Sequence, residues 1–168
     1  WRKLNDTLIS PLPKDACVLE DMVKNSDDIH LKLSKTETDK LLNVHKTLGI
    51  ELKCILLTAL GLAIREWTGQ SKILIDFESH GRESDYINLD ISRTVGWFTN
   101  VFPIILDLTD SEDLAVQITA VKESMESIPD NGFGYGILKY LTSTENKSNL
   151  KFNLKPEILP QNTPMVFN

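Results

Sequence analysis

Cysteine and histidine are scarce: Cys17 and Cys54, and three histidines, in 168 residues. They lack the short, repeated spacing of a zinc site, so no metal centre is expected from them. Cys54 falls inside an apolar helical pattern and reads as a buried free thiol. His30 and His45 lie on a strand-like and a helix-like pattern without partners, and the scattered histidines support no Ser-His-Asp order. Clusters of Lys and Arg are missing too. With a net charge of −6, this argues against a nucleic-acid partner, because phosphate binding needs grouped cations. No apolar run reaches the ~18 residues of a membrane span, and the opening "WRKLNDTLISPLPKD" has no signal-peptide core. The expected location is cytoplasmic, with no membrane partner. There is no internal repeat and no low-complexity tract.

The chain is long enough to bury roughly 70% of its extended surface in a real core. Its 41% hydrophobic and 25% charged residues are ordinary for a globular protein. Residues 1–15, broken by Pro11 and Pro13, read as a linker, and 16–168 as one folded unit. "CVLEDMV" and "IHLKL" alternate apolar and polar residues around a polar turn, which predicts a hairpin. Ser34 with Glu37 forms a capping box for a helix carrying Leu41, Leu42, Val44 and Leu48, closed by Gly49. A second helix places Leu52, Ile55, Leu56, Ala59, Leu60, Ala63, Ile64 and Trp67 on one stripe, with Cys54, Leu57 and Leu62 opposite, so cover on most sides is expected. Gly61 in its middle points to a close approach by another element. "KILIDFES" is a strand, and "GWFTNVFPIILDL" a second in which Pro103 implies an edge, a bulge or a strand start. Asp110 or Ser111 is expected to cap a third helix, followed by a glycine-rich turn, a short helix at "ILKYL" and a last strand at "PMVFN". Strands alternating with helices predict an α/β or α+β fold with a mixed sheet.

Three stretches could carry chemistry. In "FESHGRE", Glu78 sits at a strand end, where side chains commonly face a cleft. One reading is a surface turn with an Arg–Glu pair. The other makes Glu78 an acid/base group, its carboxylate tuned by apolar neighbours. In "SRTVGWFTNVFPIIL", Trp97 and Phe98 fit core packing, and Arg93 fits a solvated loop. In "PDNGFGYG" the glycines do not match a phosphate loop, and a tight turn entering a helix accounts for them.

Taken together, "LLTALG" (56–61), "ESHGRE" (78–83), "RTVGWFTNVFP" (93–103), "PDNGFGYG" (129–136) and the terminal "FN" (167–168) resemble the motif series of epimerization domains of nonribosomal peptide synthetases, in the condensation-domain superfamily. Trp1-Arg2-Lys3-Leu4 resembles the residues that join that family's two lobes. The resemblance implies a chloramphenicol acetyltransferase-like lobe, a mixed sheet covered by helices, with the active site in a tunnel between two such lobes. The family's N-terminal lobe carries a His-His-x-x-x-Asp-Gly string, which this sequence does not contain, so the C-terminal lobe alone is implied. The apolar ending "MVFN" reads as a strand cut short, before the tyrosine that usually follows in the family.

The chemistry implied is inversion at the Cα of an aminoacyl or peptidyl thioester carried on the phosphopantetheine of a partner carrier protein, with no cofactor bound directly. Two acid/base groups on opposite faces suit that reaction. The resemblance makes Glu78 one of them and a histidine of the other lobe its counterpart, with Asn168 holding the enolate or thioester oxygen. It places Arg93, Gly96, Trp97, Phe98 and Tyr135 along the substrate channel, and His80, Arg82 and Glu83 in a structural motif. Ser79 stands where the family commonly has glycine. The expected partners are the carrier protein, the other lobe and neighbouring synthetase domains, and the chain alone is expected to be inactive. A condensation-domain lobe that forms peptide bonds between two carrier-bound substrates is the alternative, and a non-catalytic carrier-docking module a third reading.

Overall fold

A computed structural model describes residues 9–14, 27–82, 90–108, 111–141 and 165–167. Helix α1 (Lys35–Leu48) starts at Ser34, whose hydroxyl accepts from the Glu37 N–H while the Glu37 carboxylate accepts from the Ser34 N–H at 2.8 Å. Gly49 ends it in the left-handed region at φ 62°, and the chain turns into α2 (Leu52–Thr68). Strand β1 (Lys72–Ser79) pairs antiparallel with β2 (Asn100–Asp107), Lys72 opposite Asp107, and the two charges meet at 2.8 Å. Helix α3 (Leu114–Glu126) returns over β2. A 3₁₀ turn (Pro129–Gly132), a single helical turn α4 (Phe133–Gly136) and a π turn (Ile137–Leu141) follow. Strand β3 (Val166–Phe167) pairs parallel with β1, so the sheet is mixed, in the order β2-β1-β3. Of the three readings of Pro103, the edge holds: β2 is an edge strand among the described residues.

The period of two along the strands builds the core. Ile73, Ile75 and Phe77 of β1 and Phe102, Ile104 and Leu106 of β2 are buried and meet Leu57 and Ile64 of α2 and Val121 of α3. Each such side chain contributes about 1.5–3 kcal/mol when removed from water. Gly61 explains the spacing of the layers: a Cβ there would lie 3.1 Å from the Leu108 side chain, so the missing methyl lets Leu108 rest on the helix.

Several expectations are corrected. The buried face of α2 is Cys54, Leu57, Thr58, Gly61 and Ile64; it shares only Ile64 with the expected stripe, whose last residue, Trp67, is 62% exposed. Both faces are apolar, and the sheet lies against the one whose small residues allow close approach. Helix α1 buries no residue; Leu42, Val44 and Leu48 are exposed. The second arm of the expected hairpin is not a strand, with Ile29 90% and Leu31 95% exposed; its first arm lies outside the described residues. Strand β2 begins at Asn100 rather than Gly96. The cap of α3 is Asp113, whose carboxylate accepts from the Ala115 N–H at 2.8 Å. Ser111 instead receives the Asp113 N–H on its hydroxyl. Within the expected linker, Leu12 packs against the core, and the Pro11 carbonyl accepts from the Gln70 side chain.

Candidate active site at the ends of β1 and β2

The sheet register sets the site. Glu78 lies opposite Val101 and Ser79 opposite Asn100, so the segments on either side of this strand end are brought together. Phe77 points into the core, and alternation turns Glu78 to the opposite face, where it is half-buried. Among the described residues its carboxylate has no ion pair or hydrogen bond. The Arg–Glu pair of the surface-turn reading is therefore not formed by Glu78; Glu83 lies outside the described residues.

Beyond β1, Gly81 takes φ 61°, and a Cβ there would collide with the Phe98 carbonyl. This lets the turn sit directly on the segment that leads into β2. The Arg82 N–H donates to His80 Nδ1 at 3.0 Å, which fixes the imidazole orientation. The Arg82 guanidinium then reaches across the loop. It donates to the carbonyls of Ile91 at 3.3 Å, Thr94 at 3.0 Å and Gly96 at 3.4 Å, and lies over the Phe98 ring at 4.2 Å. The loop is tightened internally by Thr94 N–H to the Ile91 carbonyl and Ser92 N–H to the Asp90 carboxylate, both at 3.0 Å. Hydrogen bonds from the Ser92 side chain and backbone hold the Asp90 carboxyl below its ordinary range.

An open cleft of about 480 Å³ lies between Arg82 and residues 90–96. Arg93 is on its lining and exposed. Val95 is 98% and Trp97 88% exposed, so Trp97 is not a core residue of the described structure, whereas Phe98 is half-buried beneath Arg82. The cleft thus gathers Arg82, Arg93 and Gly96, with His80 and Phe98 held against Arg82; Glu78, opposite Val101 in the sheet, is not on the cleft lining. Tyr135 is not on it either. It is 4% exposed in the core cluster, with its phenol pushed up mainly by burial. Asn168 lies outside the described residues. Cys54 is no candidate nucleophile, because burial pushes its thiol up.

Two arrangements were not anticipated. One is the Arg82 clasp; its only sequence signal is an Arg after Gly at a strand end, with an aromatic residue further on. The other is Lys139, whose ammonium lies 5.5 Å from the Tyr135 ring and 5.3 Å from the Tyr140 ring. Burial acts to lower Lys139, but the two phenols outweigh it and hold the ammonium above its ordinary range. The four-residue spacing of Tyr135 and Lys139 was the available signal.

The family profile described as condensation domain matches residues 1–167. The chain belongs to the condensation-domain family. Gramicidin S synthase 1 of Brevibacillus brevis is 45% identical over 160 residues, covering 94% of this chain and 15% of that protein. Surfactin synthase subunit 1 of Bacillus subtilis (strain 168) is 41% identical over 160 residues, covering 94% of this chain and 4% of that protein. The relatives are nonribosomal peptide synthetase subunits, and this condensation-family chain spans a small part of their length. Among solved structures, the epimerization domain from the third module of tyrocidine synthetase B superposes with a TM-score of 0.80 at 37% identity, over 94% of this chain and 36% of that one. The first condensation domain of the CDA synthetase gives a TM-score of 0.51 at 17% identity, over 64% of this chain and 24% of that one, a likeness of fold alone.

Proposed function

We propose that this chain is one lobe of a synthetase domain that converts an L-aminoacyl or L-peptidyl thioester, held on the phosphopantetheine of a carrier protein, to its D-form. The observation that carries this reading is the likeness to an epimerization domain at 37% identity over 94% of the chain. The half-buried Glu78 carboxylate at the strand end, with no partner among the described residues, supports it.

The thioester carbonyl makes the adjacent Cα–H more acidic than an amide would. Glu78, at the strand end, takes that proton on one face, and the electron pair passes to the thioester oxygen as an enolate. A protonated group from the other lobe returns a proton to the opposite face, and Asn168 donates a hydrogen bond to the enolate oxygen. Atoms and charge balance without oxidation or reduction. Removing such a general base costs about 10²–10⁴-fold in rate.

The test is Glu78→Gln in the full-length synthetase protein that carries this chain, followed by chiral analysis of the carrier-bound product and by exchange of the Cα proton in D₂O. Loss of both signals by at least about 100-fold is expected; near-normal turnover would remove Glu78 from the mechanism. The condensation reading has its own support in the description of the family profile. A product that gains a peptide bond without inversion at Cα would establish that reading instead.

A further inference from the structure

We propose that Arg82 is a positioning residue whose clasp sets how tightly the carrier-bound substrate is held, by keeping the cleft loop in its competent shape. The inference rests on the epimerase reading for its substrate and on the geometry alone for its mechanism.

Residues 90–96 form no helix or strand and are mostly exposed, so the sheet and core do not hold their shape directly. Three carbonyls of the loop, those of Ile91, Thr94 and Gly96, converge on one guanidinium. That planar group offers several donors in fixed directions, so it ties together backbone groups that a single ammonium could not. The guanidinium is itself seated on the Phe98 ring. Its own backbone is pinned by His80 and by the tight packing of Gly81 on the Phe98 carbonyl. The stack runs from the rigid strand end through Arg82 to the loop that bears Arg93 and leads into Trp97. Neither of those residues is held by the core, and both are exposed. Where binding requires one loop shape, the apparent affinity falls in proportion to the fraction of molecules that hold it. Loosening the clasp therefore acts on substrate capture and leaves the proton-transfer step to Glu78.

The test uses the full-length synthetase protein with Arg82→Gln and Arg82→Lys. Trypsin cleavage after Arg93, followed by mass spectrometry, reads the loop without reference to any reaction. Arg82→Gln is expected to speed that cleavage about tenfold, and Arg82→Lys to give an intermediate gain. In the isomerisation assay, KM for the carrier-bound substrate is expected to rise about tenfold while kcat stays within about threefold. Added methylguanidinium is expected to restore KM in an Arg82→Ala variant. Wild-type cleavage together with wild-type KM in Arg82→Gln overturns the proposal, as does a fall in kcat at unchanged KM. If Arg82→Gln does not fold, Phe98→Leu removes the seat of the guanidinium and must also speed cleavage after Arg93; an unchanged rate overturns the clasp. If the wild-type protein shows no isomerisation, the epimerase reading fails, and the cleavage measurements still decide the clasp.

Discussion

Replacing Gly132 by alanine tests how the glycine-rich turn is built. Gly132 sits at φ 82°, and a Cβ there would overlap the ring of Phe102, a buried residue of β2. Two costs follow. An alanine in the left-handed region costs roughly 1–2 kcal/mol. Forcing a methyl group into the packed ring adds about 1–3 kcal/mol, because Phe102 must leave its place against Phe77, where the ring centroids lie 5.7 Å apart. The sum, about 2–5 kcal/mol, is a large share of the roughly 5–15 kcal/mol that holds a typical domain together. Gly49 supplies the internal control. Its φ is 62°, but no atom lies within 4 Å of a Cβ at that position. Gly49→Ala should therefore carry the backbone cost alone, about 1–2 kcal/mol. Urea unfolding followed by circular dichroism and by tryptophan fluorescence would measure both. For a chain of this size the midpoint temperature of Gly132→Ala should fall by roughly 4–20 °C. A loss for Gly132→Ala no larger than that for Gly49→Ala would refute the steric argument.

Two more outcomes follow. Ser34→Ala removes the capping box of α1 and should cost that helix about 1 kcal/mol. Because α1 buries no residue, the loss should show as faster amide exchange in its first turn, with little change in global unfolding. Stability should also fall in alkali. The Cys54 thiol, raised by burial, and the Tyr135 phenol, raised by burial, both bind their protons more tightly when folded, so the stability they confer is complete below their unfolded values. It is lost as pH rises from about 8.5 for the thiol and about 10 for the phenol. Cys54→Ala should flatten the lower part of that decline in a pH series of thermal melts, whereas a slope equal to wild type would show that the thiol does not contribute.

Features that depend on near neighbours in the chain were legible in the sequence. The capping box at Ser34 and the strand from Lys72 to Ser79 are each decided by a few adjacent residues, whereas Pro103 left an edge, a bulge or a strand start open until the strand order chose the edge. The close approach at Gly61 was legible too, since a helical glycine has few other reasons to be there. The buried face of α2 was not legible, because apolar residues line both sides and the choice fell to Thr58 and Gly61, whose small size lets β2 and α3 come near. The cap of α3 was misplaced because cap-forming residues occur in succession, and Asp113 rather than Ser111 meets the first free N–H groups. In the candidate site, Glu78 could be placed at a strand end from alternation alone. The Arg82 clasp could not, since its acceptors lie between 9 and 14 residues along the chain and are backbone carbonyls, which leave no mark on residue identity.

The positions of the glycines connect stability to the site. Gly61 of α2 admits the Leu108 side chain, Gly132 admits the Phe102 ring, and Gly81 admits the Phe98 carbonyl. All three contacts fall on the segment from residue 98 to residue 108, so β2 and its lead-in are gripped from the helix layer, from the turn after α3 and from the turn after β1. Phe102 is paired with Phe77 in the register, one residue from the Glu78–Val101 pair. A side chain added at Gly132 pushes on Phe102, and in a sheet whose hydrogen bonds fix the register that push is shared with Val101 and therefore with Glu78. The turn that looks remote from the strand end is in this way part of what places the carboxylate. A variant there should disturb the position of Glu78 even where enough stability remains for the chain to fold.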